Sequence, residues 1–325
     1  MKPRSALRSV AVVGWSVVAT VAAGTAMAQA WPVKPVRVVN PFSPGGSLDL
    51  VSRSVAKVMS SELGQAVFVE NRPGAGGNLG IEFVAKAPPD GYTLLAVQSS
   101  ITINPSLQKQ VPYDPVKDFE PVSKMSAYVF FLAVHPSTQA RSVPQLIALA
   151  RARPGQLTYA SVGIGSGTHL AGALFESLTG VKMTHVPYKG SGPSLIDVVG
   201  GHVSMTFGST SVLPYVQAKK LVLLGVSGTK RSQFVPDVPT IAEFVPGYEI
   251  SAWNAMFAPA GTPAPIVARL NQLVHQGLAH PETRAVMEAQ GLDATPSTPQ
   301  ELGELVRTEL VKWSKMIRSA GIRPE

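Results

Sequence analysis

The chain has 325 residues, a formal net charge of +8 and 45% hydrophobic residues, which is enough for two domains of about 150 residues with sizeable cores. It contains no cysteine, so a disulfide framework is excluded and packing alone must hold the fold. The basic residues are scattered rather than interleaved with aromatic ones, so no nucleic-acid partner is expected.

The first 28 residues have the pattern of a secretory signal peptide. Basic residues precede an apolar run over 10–23, and Ala26-Met27-Ala28 places small residues before a cleavage site. The run is shorter than the roughly 20 residues of a membrane span, although a retained N-terminal anchor is the alternative. No Cys follows, which excludes a lipoprotein. We therefore predict export to the periplasm, and loss of the three basic residues would leave a net charge of +5, which favours anionic ligands. The basic residues are Lys2, Arg4 and Arg8.

Strands and helices are predicted to alternate along the remaining chain. Apolar residues at helical spacing follow Gly46 and predict a helix that ends at Gly64. Two further helices are predicted to begin with capping boxes, formed by Ser142 with Gln145 and by Thr298 with Glu301. Further helices are predicted to end at Ala87 and Thr179. Strands are predicted at 36–39, 67–69, 92–97, 129–134, 157–160, 203–207 and 221–226.

This alternation predicts an α/β fold made of βαβ units with a largely parallel sheet. There is no internal repeat and no long linker. If the chain forms two lobes, short extended crossovers must therefore join them, and the strand-like stretches 126–129 and 250–254 are the candidates.

Three glycine-rich loops each follow a strand and open a helix: 43–47, 74–78 and 163–168. Glycine lets the backbone approach a ligand closely, and a helix N-terminus offers unpaired N–H groups and a positive dipole end. Ligands of open α/β sheets sit where such loops converge, so the loops favour a cradle for a carboxylate. The alternative is that the glycines only permit tight βα turns.

No catalytic or nucleotide-binding motif is present. The loop at Gly163 has Thr168 where a dinucleotide motif needs its third glycine, and Ser166 lacks the flanking glycines of a hydrolase elbow. The six histidines show no metal-ligand pairing. We therefore expect a protein that is not an enzyme and that uses no cofactor and no metal.

Several individual residues allow two interpretations. Asp49 either complements a helix dipole or serves the site, by binding a ligand or fixing the loop. His169 either touches a ligand or caps and packs. Trp253, with Asn254, either lines a cleft or belongs to the core. Lys189 is either a counter-charge for an anion or a solvated lysine.

The motifs together resemble the Bug receptors, the substrate-binding components of tripartite tricarboxylate transporters. The resemblance is carried by Trp31-Pro-Val-Lys-Pro-Val-Arg-Val-Val, Pro41-Phe-Ser-Pro-Gly-Gly-Ser-Leu-Asp49 and Glu70-Asn-Arg-Pro-Gly-Ala-Gly-Gly-Asn-Leu-Gly80. It continues through Lys86 to Leu95, Pro187-Tyr-Lys-Gly190, Pro236 to Thr240 and Ala258 to Pro265, so it spans the mature chain.

The resemblance implies a type II periplasmic-binding-protein fold of two α/β lobes joined by two crossover strands. Lobe 1 would comprise residues 29–128 and 253–325, and lobe 2 residues 129–252. Backbone and hydroxyl groups would hold a ligand carboxylate, often through ordered waters. The implied ligand-binding residues are Phe42, Ser43, Pro44, Gly45, Gly46, Asp49, Gly77, Asn78 and Ser99 on lobe 1, and Ser161, Gly165, Ser166, Gly167, Thr168, Lys189, Gly190, Gly208 and Ser209 on lobe 2.

One residue departs from the family pattern, because many relatives have an acidic residue where this chain has Gly208. The ligand therefore cannot be transferred from relatives, and organic acids, amino acids and neutral amides all fit. The expected partners of a monomeric receptor are this small molecule and the membrane permease subunits of a tripartite tricarboxylate transporter. The alternatives are a sensor that reports to a signalling protein and an exported enzyme.

Overall fold

The computed structural model describes residues 31–188 and 190–319. The predicted signal peptide and Lys189 lie outside these residues. Within them, no helix combines the length and the apolar character that a membrane crossing requires.

The secondary structure alternates as predicted, with more elements than the sequence indicated. The strands are β1 (Val36–Asn40), β2 (Val67–Asn71), β3 (Thr93–Gln98), β4 (Phe119–Val129), β5 (Phe131–Val134), β6 (Thr158–Ser161), β7 (Thr184–Pro187), β8 (Met205–Gly208), β9 (Val222–Val226), β10 (Ser251–Pro259) and β11 (Asp293–Ala294). The helices are α1 (Ser47–Leu63), α2 (Asn78–Ala85), α3 (Ser100–Leu107), α4 (Val143–Ala152), α5 (Gly167–Thr179), α6 (Ser191–Val199), α7 (Leu213–Gln217), α8 (Ala264–Ala279), α9 (Pro281–Ala289) and α10 (Pro299–Ser319).

The strands form two sheets, which confirms the α/β class and its two lobes. The first sheet has the order β11-β4-β10-β3-β1-β2 and defines lobe 1, and the second has the order β7-β6-β8-β5-β9 and defines lobe 2. The prediction of a largely parallel sheet is wrong. In each sheet three strands run parallel, and the strands beyond them pair antiparallel because the chain returns to each sheet in the opposite direction.

The chain passes between the sheets at two adjacent places. The strand predicted over 129–134 is in fact divided at Phe130, since Val129 ends β4 in the first sheet and Phe131 begins β5 in the second. The return passes through Ile250 into β10, whose first residue pairs with Val129.

Ser227 ties these two crossovers together with all of its polar groups. Its hydroxyl accepts a hydrogen bond from the Phe130 N–H (2.7 Å) and donates one to the Ile250 carbonyl (2.6 Å). Its own N–H donates to the Phe130 carbonyl (2.9 Å), and its carbonyl accepts from the Ile250 N–H (3.1 Å). Ser227 is fully buried, so these bonds are shielded from water.

Each lobe has its own apolar core, and the last helix contributes to both. Leu302 and Val306 of α10 belong to the core that contains Val39 and Leu95 of lobe 1. About two turns after Val306, Trp313 lies in the core built mainly by lobe 2. The helix α10 is therefore a third connection between the lobes.

Local signals explain where several helices begin and end. Gly64 ends α1 in the left-handed conformation (φ +62°) that glycine adopts without strain. Thr298 and Glu301 form the predicted reciprocal capping box. The Ser142 hydroxyl caps α4 as predicted, but the Gln145 side chain accepts from the Arg141 N–H instead, so the second half of that box is absent.

Replacing Ser227 by Ala should destabilise the protein by about 2 kcal/mol, because a buried N–H of Phe130 and a buried carbonyl of Ile250 would lose a partner. Urea unfolding of the variant measures this loss. The control is Ser137→Ala at an exposed serine, which should change stability by less than about 0.5 kcal/mol. Equal stability of the two variants would contradict this role of Ser227.

Candidate ligand-binding cleft

The loop between β1 and α1 is shaped by Asp49. One carboxylate oxygen of Asp49 accepts hydrogen bonds from the Gly45 N–H (3.0 Å) and from Nε of Arg53 (3.0 Å). The other accepts from the side-chain amide of Asn71 (2.9 Å), which also donates to the Phe42 carbonyl (3.0 Å). Both oxygens therefore hold the loop, and the side chain is only 3% exposed.

The charge of Asp49 is stabilised by the same contacts. Burial by itself opposes ionisation. The hydrogen bonds from Arg53, Gly45 and Asn71 together outweigh it and hold the pKa of Asp49 below its ordinary value. Of the two roles that the sequence left open, the geometry therefore supports fixing the loop.

The loop between β6 and α5 (residues 161–168, the second-lobe loop) is held by its own hydroxyl groups. The Thr168 hydroxyl accepts from the Val162 N–H (3.0 Å), and the Ser166 hydroxyl donates to the Gly163 carbonyl (2.6 Å). The Ser166 hydroxyl also accepts from the His169 N–H (3.3 Å) and so caps α5. These bonds direct the loop backbone around the N-terminus of α5.

Two stacked histidines lie beneath this loop. The rings of His169 and His185 are stacked with centroids 4.1 Å apart, and the ring of Tyr159 stacks on the other face of His185 at 4.9 Å. Nδ1 of His169 accepts from the Gly165 N–H (3.2 Å), and Nε2 of His185 is 2.6 Å from the Ser161 hydroxyl. Burial lowers the pKa of His169 to about 4, and burial with the neighbouring His169 lowers that of His185 to about 4, so both rings are neutral at pH 7.

The predicted loops of the two lobes meet at α3. A Cβ on Gly165 would lie 3.1 Å from Leu107 and 3.7 Å from the side-chain oxygen of Asn104, both on α3. On the lobe 1 side, a Cβ on Gly77 would lie 3.2 Å from the ring of Phe42, and Gly77 has a φ of +98°. Only glycine permits these close approaches without displacement of the neighbours.

The amide of Asn78 is used within lobe 1. Its oxygen accepts from the side chains of Asn104 (2.7 Å) and Tyr113 (3.2 Å), and its nitrogen donates to Gln108. Asn104 also donates to the Gly76 carbonyl (3.2 Å). The predicted ligand residue Asn78 therefore fixes the position of α3 relative to the second glycine-rich loop.

The remaining predicted residues lie at the same ends of the sheets. The Ser99 N–H donates to the Trp253 carbonyl (2.9 Å), and the Gly190 N–H donates to the Val162 carbonyl (3.2 Å). Ser209 follows directly after β8, and its hydroxyl accepts from the Ser211 N–H. The structure thus places the described residues of the predicted set at or just after the carboxyl ends of strands in the two sheets.

Gly208, the residue predicted to depart from the family pattern, has little free space. It pairs with Phe131 in β5, and a Cβ at this position would lie 2.5 Å from a methyl group of Val212. Val212 is itself buried. The side chain of Val212 therefore occupies the space beside Gly208 that a side chain at this position would need. An acidic residue at position 208 would fit only if Val212 moved.

Among the described residues, several polar groups at this end of lobe 1 are buried without a partner, and the sequence singled out Trp253 and Asn254 but not Asn40 and Ser100. In the described part of the chain, the following atoms are buried without a hydrogen-bond partner near the ends of β1 and β3: Nδ2 of Asn40, the hydroxyl of Ser100, Nε1 of Trp253 and Oδ1 of Asn254. Buried polar groups are normally paired, so this region holds unused hydrogen-bonding capacity. The available signal was a polar residue at or just beyond the end of an apolar strand, as at Asn40, the last residue of β1, and Ser100, two residues after β3. Trp253 otherwise packs in the lobe 1 core.

A second contact joins the lobes on the side of β11. The Thr210 hydroxyl donates to the Gln290 carbonyl (2.6 Å), and the Gln233 side chain donates to Asp293 (2.6 Å). A Cβ on Gly291 would lie 1.8 Å from the Thr210 side chain. A cavity of about 390 Å³ beside Phe234 adjoins this contact, and a second of about 480 Å³ lies in lobe 1. Neither cavity is lined by the predicted ligand residues.

Comparison with solved structures places the fold among the periplasmic binding proteins. The periplasmic binding protein BugD matches with a TM-score of 0.82 and 31% identity, covering 91% of this chain and all of that one. The Rhodopseudomonas palustris protein Rpa4515 with adipate matches with a TM-score of 0.84 and 37% identity, again covering 91% and 100%. MatC of the same species, with bound malate, matches with a TM-score of 0.80 and 32% identity over 88% of this chain and 100% of that one.

The sequence comparisons define the family. Residues 51–322 match the family described as the tripartite tricarboxylate transporter family receptor. BugT of Bordetella pertussis is 35% identical over 323 residues, which is 97% of this chain and 98% of BugT. The chain therefore belongs to the tripartite tricarboxylate transporter receptor family, and the predicted resemblance to the Bug receptors is confirmed. This family and its fold are those of solute-binding receptors.

Replacing Asp49 by Ala should lower the free energy of unfolding by about 2 kcal/mol, since the Gly45 N–H and the Asn71 amide would lose their acceptor. Thermal and urea unfolding measure the effect. The control is Glu304→Ala, which removes an exposed pair with Arg307 and should cost less than about 1 kcal/mol. A loss no larger in the Asp49 variant than in the control would show that Asp49 does not fix the loop.

Proposed function

We propose that this protein is a periplasmic solute receptor, exported by a cleaved signal peptide, that binds a small carboxylate between its lobes. The observation that carries the proposal is the meeting of loops from both lobes at α3, where the N-termini of α2 and α5 lie beside close-packed glycine backbone. The first N–H groups of a helix lack intrahelical partners and carry a partial positive charge, so they suit an anion.

The family relatives support the chemical class of the ligand. Rpa4515 was solved with adipate and MatC with malate, and both ligands are dicarboxylates. Both proteins match most of this chain in fold. Among the described residues of the candidate cleft, Asp49 carries the one buried carboxylate, and Arg53 neutralises it. A ligand carboxylate would therefore meet neutral dipoles and no uncompensated negative charge.

The receptor would act as a monomer and would release its ligand chemically unchanged. The candidate cleft does hold one hydroxyl beside an imidazole, Ser161 with His185 at 2.6 Å, but no group of the described residues bonds to Nδ1 of His185 and orients it as a catalytic base. The two lobes, residues 29–128 with 253–325 and residues 129–252, would close on each other by rotation about the two crossovers. Closure would exclude water and present the liganded surface to the permease subunits of a tripartite tricarboxylate transporter.

Screening small acids by thermal shift identifies the ligand, because a ligand that binds only the folded state raises the melting temperature. Adipate and malate are the first acids to test. With the best acid, Ser166→Ala combined with Thr168→Ala should weaken calorimetric affinity by about 10- to 100-fold, since two hydroxyl groups that shape the second-lobe loop are lost.

The matched control is Ser142→Ala, which removes the hydroxyl that caps α4 in the same lobe. It should cost about 1 kcal/mol of stability and leave affinity unchanged. An unchanged affinity in the double variant would contradict the assignment of the second-lobe loop to the site. Turnover of the bound acid would instead identify an enzyme.

Substituting Gly291 by Ala should weaken binding about tenfold if binding needs the arrangement of the lobes seen here, because the new methyl group collides with Thr210 and disfavours that arrangement. Isothermal titration with the best acid measures this. Gly180→Ala is the control, since Gly180 has a similar φ (+69° against +63°) but no neighbour within 4 Å of a Cβ. Similar affinity in both variants would mean that the contact does not influence closure.

A further inference from the structure

We propose that His169 and His185 form a positioning pair that holds the second-lobe loop in its binding-competent shape, and that they do so only as neutral imidazoles. The inference rests on the proposed function, because the loop matters for activity only if it contacts a ligand. It assigns a role to two residues that the ligand-binding set does not contain.

The pair holds the loop at two separate points. His185 bonds to the hydroxyl of Ser161 at the start of the loop, and Ser161 in turn accepts a hydrogen bond from the Gly163 N–H (3.2 Å). His169 accepts from the Gly165 N–H in the middle of the loop. The segment from Ser161 to Gly165 is thus connected to the rings at both of its ends, in addition to the pairing of Ser161 with Pro187 in the sheet.

The hydrogen bond at Gly165 fixes the protonation state that this arrangement needs. A backbone N–H can only donate, so Nδ1 of His169 must be the ring nitrogen without a proton. Protonation of His169 would place an N–H of the ring against the Gly165 N–H, and two donors cannot bond. The loop would then lose its central anchor.

The stack itself opposes a second charge. Two imidazolium rings 4.1 Å apart would repel each other at close range. The other titratable groups of this cluster in the described chain are Tyr159 on β6 and Glu176 on α5, which acts on Tyr159. Burial raises the pKa of both side chains, so burial disfavours charge throughout this region.

The pH dependence follows from the sign of the shift. The pKa of each histidine is lowered from 6.5 to about 4 in the folded protein, so the neutral pair contributes fully to stability above pH 6.5. That contribution is lost progressively as the pH falls from 6.5 to 4, because the unfolded chain binds protons that the folded chain does not. The loop should therefore loosen in acid before the rest of the lobe.

The test measures hydrogen exchange of the Gly165 amide by NMR in the full mature protein without ligand. His169→Leu removes the acceptor and should lower protection of that amide about tenfold, whereas His169→Asn keeps an acceptor in a similar place and should preserve it. His135→Leu is the matched control, because His135 accepts a backbone N–H from Ser137 at the opposite end of the second sheet.

A binding measurement separates this inference from the proposed function. Calorimetry with adipate and malate should show a loss of affinity of about tenfold in His169→Leu and near-normal affinity in His169→Asn. If the wild-type protein binds neither acid, the ligand class of the proposed function is wrong, while the Gly165 amide still reports on the pair.

Two outcomes would overturn the inference. One is unchanged Gly165 protection in His169→Leu, and the other is reduced protection with unchanged affinity for an acid that the wild type binds. If His169→Leu does not fold, the wild-type protein decides. Its Gly165 protection, corrected for the intrinsic exchange rate, must fall between pH 6 and pH 4 and must stay constant over that range in His169→Asn.

Discussion

The four hydrogen bonds of Ser227 to Phe130 and Ile250 are the constraint on which the two-lobed arrangement depends. They fasten the two crossovers side by side at a buried point, where β4 and β10 are already paired. Rotation of one lobe against the other must therefore occur as twisting of two coupled strands. Because the glycine-rich loops lie at the sheet ends near this point, a small rotation changes the distance between them.

Much of this architecture could be predicted from local patterns. The glycine-rich loops, the end of α1 at Gly64 and the capping box at Thr298 each follow from residues only a few positions apart, which is why the sequence indicated them correctly. The family resemblance supplied the two lobes. The residues implied for the site lie at or just after the carboxyl ends of strands, but their contacts to a ligand stay a prediction.

The failures arose where distant parts of the chain decide the structure. The helix α3 contains β-branched residues and Pro105, which favour no helix locally, yet Asn104 is bonded to Asn78 across the lobe. The antiparallel strand β10 is buried almost throughout, so it shows no alternation that would reveal its direction. Likewise, the roles of Asp49 and His169 became apparent only from partners up to 22 residues away, at Asn71 and His185.

The order in which the strands appear in the chain has a consequence for biosynthesis. All strands of the second sheet lie between β4 and β10, whereas the first sheet takes strands from both ends of the chain. The sheet of lobe 2 is therefore available to form from one contiguous stretch, but the sheet of lobe 1 stays incomplete until β10 has been synthesised. Until then β3 and β4 lack the central strand that separates them, and their apolar edges need protection from other chains.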